Sequence, residues 1–235
     1  MENALYMNNS YLNEFEAVVE SVKDDKFIVL DKSAFYPSGG GQPNDIGVIV
    51  CNGEEYPVVY VGKFSGKISH EVAKPGLKEG DRIIGRIDWD RRYKLMRMHT
   101  SAHIIDAVFY QKENALCTGN QIGVDKTRID FSSETLTREK MEEYVRLSNE
   151  IAKKGIEVKI YTMKREEAMK IPGIVKLAGA MPPEIHELRI VEIPGVDIQA
   201  DGGTQVKNTS EIGEIKFLQF ENRGKSNKRL YYTID

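Results

Sequence analysis

Two histidines, His99 and His103, stand four residues apart within the stretch 95–111, and the segment Asp201-Gly202-Gly203-Thr204-Gln205 follows much later in the chain. Four residues is about one turn of an α-helix, so both imidazoles share a face, and converging imidazoles suit a divalent ion such as zinc. The spacing alone is weak, because many helix faces carry such pairs without binding anything. Gly39-Gly40-Gly41-Gln42 is a second candidate. Glycine permits close backbone approach to a ligand, and it equally serves a tight turn. His70 and His186 lack a partner at metal spacing and read as structural or surface residues. Cys117 reads as a small buried residue.

The elements that must position these groups change character near Trp89. Before it, short apolar runs at 15–22, 26–30, 47–50, 56–61 and 80–87 alternate with turn residues such as Asp24-Asp25, Asn52-Gly53 and Pro75-Gly76. That pattern predicts a small β-barrel or sandwich over 1–89. After it, Leu95, Met98, Ala102, Ile105 and Phe109 recur at helical intervals, so the histidines ride on a helix with one buried stripe. Asn120 to Phe131 reads as strand with a turn near Gly123. Thr137 is placed as an N-cap, with Leu136 and Met141 as a hydrophobic staple and Gly155 just beyond the helix end. Strands at 156–161, 188–193 and 214–220, a short helix at 164–170 and a Gly- and Pro-rich loop up to Pro183 complete a second domain at 90–235. The fold class is therefore α+β, a barrel followed by an antiparallel sheet with helices.

Composition narrows the function. With 235 residues, 40% hydrophobic and 29% charged, the chain is an ordinary globular one. It has no apolar run long enough for a membrane span and no signal peptide, which predicts a cytoplasmic protein without membrane contact. Two cysteines make no disulfide framework. A net charge of −3 argues against coating nucleic acid through a general positive field. Two local clusters remain, Arg91, Arg92, Lys94 and Arg97, and the run from Arg223 to Arg229. Each reads either as a phosphate contact or as a solvated edge.

Taken together, the motifs carry a resemblance. His99-Thr-Ser-Ala-His103, then Asp-Gly-Gly-Thr-Gln running on to Val206-Lys-Asn-Thr209-Ser-Glu211-Ile-Gly213, resembles the paired zinc motifs of the alanyl-tRNA synthetase editing domain. The upstream Ala34-Phe-Tyr-Pro-Ser-Gly39-Gly-Gly-Gln42-Pro-Asn-Asp45-Ile-Gly47 is similar to the glycine-rich motif of free-standing alanyl-tRNA editing proteins, the AlaX family, in the forms that keep an N-terminal barrel. Thr118-Gly-Asn-Gln121, Arg128-Ile-Asp-Phe131 and the ending 221–229 also match, in order, over nearly the whole chain.

The resemblance implies a zinc-dependent deacylase acting in trans on tRNA(Ala) mischarged with serine or glycine. Its metal ligands are expected to be His99, His103, Asp201 and Gln205, and its substrate-binding residues Gly39, Gly40, Gly41, Gln42 and Thr118. The family commonly has cysteine where Asp201 stands and histidine where Gln205 stands. An aspartate oxygen ligates zinc well, whereas a neutral amide coordinates weakly, positions a water, or does neither. The zinc would activate a water or hold the substrate. Thr118 is the candidate partner for a seryl hydroxyl. The glycine-rich loop is expected to receive the acceptor end. Two other readings stay open: a tRNA-binding module without chemistry, and a zinc hydrolase of another small ester.

Overall fold

The structure is a computed structural model that describes residues 3–171, 174 and 186–235; the Gly- and Pro-rich loop predicted up to Pro183 lies largely outside the described residues. The chain divides into two compact units, Met1–Lys94 and Leu95–Asp235.

The first unit is a closed antiparallel barrel of β1 (Glu14–Lys23), β2 (Phe27–Leu30), β3 (Gly47–Cys51), β4 (Glu54–Phe64), β5 (Lys67–Val72) and β6 (Arg82–Ile87), in the order β1-β2-β5-β4-β3-β6. Period-two alternation turns Phe15, Ala17 and Val19 of β1 inward, where they meet Ile28, Phe35, Ile49, Val58, Val61 and Ile83. Two hairpin turns are those the sequence predicts, while a third, Ser65-Gly66 between β4 and β5, was not read from it. Asp24 and Asp25 have φ 52° and 55°, and Asn52 and Gly53 have φ 49° and 82°, the left-handed pair that a two-residue hairpin needs. β5 was not anticipated, because the buried pair Ser69 and His70 is polar, and His70 takes the inward position between Ile68 and Val72 where an apolar residue would have signalled a strand. His70 is satisfied there: Nδ1 donates to the Ile28 carbonyl at 2.9 Å, and Nε2 accepts from the Ser33 hydroxyl at 2.7 Å.

Helix α1 (Trp89–Glu113) starts where the Asp88 side chain accepts the Arg91 N–H at 3.1 Å, capping its first turn. The unit division falls within this helix, after Lys94. The expected single buried stripe proves too narrow: every residue from Met98 to Phe109 is buried. The reason is enclosure by the rest of the second unit. Phe109 stacks on Phe131 at 4.2 Å and meets Tyr144 edge-on, while the Tyr232 hydroxyl donates to the Met98 carbonyl.

The second unit holds two antiparallel sheets. One orders β12 (Ile215–Asn222), β13 (Asn227–Ile234), β8 (Thr127–Ser132) and β7 (Leu116–Gln121); the other orders β11 (Asp197–Ala200), β10 (Glu187–Ile193) and β9 (Lys159–Lys164). The stretch read as one interrupted strand at 120–131 is thus the hairpin β7–β8. Helix α2 (Arg138–Ala152) begins as predicted, with the Thr137 side chain accepting the Lys140 N–H and both staple residues buried. A one-turn helix, α3 (Arg165–Ala168), follows β9.

The basic clusters do structural work that sequence did not show. Arg92 is wholly buried, bonding to Asp45 at 2.9 and 3.0 Å and to the carbonyls of Ser10 and Ala34. Arg97 donates to the carbonyls of Glu211, Ile212 and Asp235. Arg229 grips Asp130 through two bonds of 2.6 and 3.0 Å, and Lys228 caps the carbonyls of Gly224 and Lys225. Among the described residues, no helix is long and apolar enough to cross a membrane.

Candidate metal centre

The enclosed part of α1 carries His99 and His103 one turn apart, and their rings lie 5.3 Å apart, 30° from parallel. The second half of the centre comes from the end of β11. There the Asp201 N–H donates to the Arg189 carbonyl at 3.1 Å, continuing the β10 ladder by one step. The Asp201 carboxylate then turns back on its own loop, accepting the Gly203 N–H at 2.9 Å. Beyond it, Asn208 and Glu211 form a capping box around a short 3-10 turn, Thr209–Ile212. The Thr209 hydroxyl donates to Ala152 at the end of α2 and accepts the Ile156 N–H, so the segment carrying Asp201 and Gln205 is fixed at both ends.

The convergence fits a metal ion. One donor atom each from His99, His103 and Asp201 lies within 4.8 Å of the others, and the closest approaches are His99 Nε2 to Asp201 Oδ1 at 3.6 Å and His103 Nε2 to Asp201 Oδ2 at 3.9 Å. Zinc with bonds of about 2.0–2.1 Å sets tetrahedral ligand atoms roughly 3.3 Å apart, a few tenths of an ångström closer. Two imidazoles and a carboxylate are the donor types zinc takes in sites that leave a position open.

One residue that sequence reasoning missed completes the geometry. His103 Nδ1 donates to Asp197 Oδ2 at 2.9 Å, and Asp197 also accepts from the Gln199 amide at 3.0 Å. A carboxylate accepts only, so Nδ1 carries a proton, and in the neutral ring the Nε2 lone pair faces Asp201. The clue, alternating polar residues Asp197 and Gln199 after a Pro-Gly turn, is indistinguishable from an exposed strand without the fold.

Gln205 is brought to the same place, with its amide nitrogen 2.9 Å from Asp201 Oδ2 and 3.2 Å from His103 Nε2. Arg189 donates to the Asp201 main-chain oxygen at 2.7 Å and stands 3.9 Å from its carboxylate. Electrostatics follow. Burial pushes His99 down to about 4, with the Asp201 charge opposing and the positive charge of His103 and Arg189 reinforcing. Burial acts the same way on His103, but its bond to Asp197 and the charges of Asp197, Asp201 and Asp106 outweigh it and raise the pKa. Burial would raise Asp201, yet the two imidazoles and Arg189 hold it down to about 2, fully ionised at neutral pH.

The other predicted residues lie in the barrel unit and on β7. In the barrel unit, Gly39 and Gln42 exchange backbone bonds of 3.1 and 2.9 Å around Gly40 and Gly41, whose φ values are 57° and 84°. This is a two-residue hairpin turn with exposed glycines, and a Cβ on Gly39 or Gly40 would meet nothing closer than 3.9 Å. Gln42 is buried. Thr118, on β7, is exposed, and its hydroxyl donates to the Asp130 carbonyl at 3.3 Å. Cys117 beside it is buried, which raises its thiol pKa and keeps it inert. His70 is fully buried within the barrel and His186 is exposed.

Comparison with known proteins finds one family match within each unit. Residues 3–91 match the family described as tRNA synthetases class II (A), and residues 188–231, which include Asp201 and Gln205, match the threonyl and alanyl tRNA synthetase second additional domain. The chain is 49% identical to the alanyl-tRNA editing protein AlaX-M of Methanosarcina acetivorans, covering 100% of this chain and 99% of that one. It is 49% identical to the AlaX-M protein of Saccharolobus solfataricus, again over 100% and 99%. The alanine–tRNA ligase of Pyrococcus abyssi is 39% identical over 92% of this chain but only 24% of the ligase. Likeness of that degree over the full length of free-standing relatives shows that the chain belongs to the AlaX family of alanyl-tRNA editing proteins.

Proposed function

We propose that the protein is a trans-acting deacylase that hydrolyses the ester joining serine, and also glycine, to tRNA(Ala) in the cytoplasm, with zinc held by His99, His103 and Asp201. The observation that carries the reading is the convergence of those three donors, two of them buried imidazoles, within an editing-protein family. The need is physical. A pocket built for alanine separates glycine or serine by only about 1–3 kcal/mol, so a second site must remove the errors.

Bound zinc supplies a Lewis acid that polarises the ester carbonyl or an attacking water. The protein's own residues prepare the ground for it. Asp197 holds the His103 ring with Nε2 directed at the centre, and Arg189 and the Gly203 N–H keep Asp201 ionised and in place. Burial keeps His99 neutral, with its lone pair available at neutral pH. Because Thr118 donates its hydroxyl proton to Asp130, its oxygen lone pairs are those left to accept a seryl hydroxyl, a contact that alanine lacks. The glycine turn of the barrel unit is exposed, with its backbone groups open to a ligand.

Release of amino acid from Ser-tRNA(Ala), Gly-tRNA(Ala) and Ala-tRNA(Ala), measured with and without chelator, tests this. Loss of serine or glycine but not alanine, abolished by chelation and restored by zinc, is the expected result. Binding without release from any of the three would make the protein a tRNA-binding module.

A further inference from the structure

Strand β8 turns Thr127, Ile129 and Phe131 inward and leaves Arg128 and Asp130 on the opposite face of its sheet. Strand register sets Tyr231 of β13 and Gln121 of β7 on either side of Arg128, and Arg229 beside Asp130. Two arginines thus compete for one carboxylate, and they fare differently. Arg229 takes Asp130 through two bonds of 2.6 and 3.0 Å. Arg128 stands off at 3.9 Å, its buried Nε makes no hydrogen bond, and no described residue accepts from its terminal nitrogens. Just before the strand, Lys126 sets its ammonium 5.2 Å from the centre of the Tyr231 ring and forms no ion pair among the described residues. The acids of this face, Asp130 and Glu221, are answered by Arg229 and Arg223. Arg128 and Lys126 are left as two cations beside one tyrosine, without a carboxylate of their own.

We propose that this face of the sheet binds the phosphodiester backbone of the tRNA, with Arg128 and Lys126 as its phosphate contacts. The proposal rests on the editing reading for the identity of the polyanion and deepens it by naming where the RNA is held. A phosphate supplies what Arg128 lacks, negative charge and acceptor oxygens spaced for the planar guanidinium fork. With its side chain 30% exposed, Arg128 has a stem held in the cross-strand row between Tyr231 and Gln121 and a tip that reaches solvent. Less side-chain freedom is then lost on binding than for a cation on a free stem. Lys126 adds a point charge on the neighbouring side of the same ring.

Binding of uncharged tRNA(Ala), by filter retention over a series of salt concentrations, tests this without requiring turnover. Arg128→Gln, which keeps an extended polar stem in the row, and Lys126→Ala should each weaken binding at least about threefold at low salt and flatten the salt slope by about one phosphate contact. Arg128→Lys should retain the wild-type slope and lose only part of the affinity. Lys225→Ala removes the same charge from the same unit, where the ammonium stands 3.7 Å from Glu134, and should change neither. Melting curves verify that each variant is folded. Unchanged affinity and slope in Arg128→Gln would overturn the proposal. An equal effect in Lys225→Ala would reduce it to net charge and overturn it too, as would weaker binding with the full wild-type slope. A wild type that binds tRNA but releases no amino acid would sink the deacylase reading and leave this face intact; one that releases serine while Arg128→Gln binds normally would sink this proposal alone.

Discussion

The two nitrogens of His103 have separate duties, and the one facing away from the centre decides what the other can do. Replacing Asp197 by alanine removes the acceptor that fixes the ring and its proton, and partners of this kind are worth about 10–100-fold in metal affinity. We therefore expect Asp197→Ala to weaken zinc binding by that order in a chelator competition; an unchanged affinity would show that enclosure alone orients the ring. His70 gives a cleaner titration, far from any such ligand role. Burial pushes it down to about 4, and its folded pKa below the unfolded value near 6.5 means that its contribution to stability is complete above that value and is lost as pH falls towards 4. NMR should find the His70 ring neutral at pH 5, and unfolding midpoints should drop between pH 6.5 and 4. A titration midpoint near 6.5 would contradict this account. His99 and His103 were readable because helical periodicity converts spacing directly into a shared face. Asp197 was not, since its partner lies across a fold that local pattern does not encode.

Strands and helices failed to announce themselves wherever polar residues were turned inward or charge hid an apolar face. β13 is the clearest case: Leu230, Tyr232 and Ile234 alternate inward, but the run of cations up to Arg229 reads as a surface turn. The barrel was legible from its hairpin turns, which depend on local backbone conformation alone. Its closure was not, because that requires the β1–β6 and β3–β6 pairings between distant strands. Close approach along one of these seams explains Gly47. A Cβ there would lie 2.1 Å from the Arg86 carbonyl oxygen, so Gly47→Ala should separate β3 from β6 and lower the melting temperature, whereas the open Gly53 should tolerate alanine with only the mild strain of its positive φ. Deleting one member of the Asp45–Arg92 pair leaves a guanidinium without a counter-charge inside the barrel unit. Denaturant titration of Asp45→Ala should register a loss of about 3–5 kcal/mol.

For the molecule as a whole, the commitment of Arg92, Arg97, Lys228 and Arg229 to internal partners changes what its electrostatics can do. With a net charge of −3 and those cations occupied, tRNA affinity should respond only shallowly to salt, with a slope equivalent to about two or three phosphate contacts instead of the six to ten of strongly basic binders. Filter binding at two ionic strengths would measure it, and a steep slope would return the clusters to the phosphate-contact reading. Discrimination then falls to shape and to the donors at the centre.

The pairing of Gln205 with His103 spans 102 residues. During synthesis, a ribosome that has completed α2 has released both imidazoles but neither of their later companions. Such a nascent fragment owns half a centre, and competence arrives abruptly, late in translation, when the second strip of chain emerges and closes on the first.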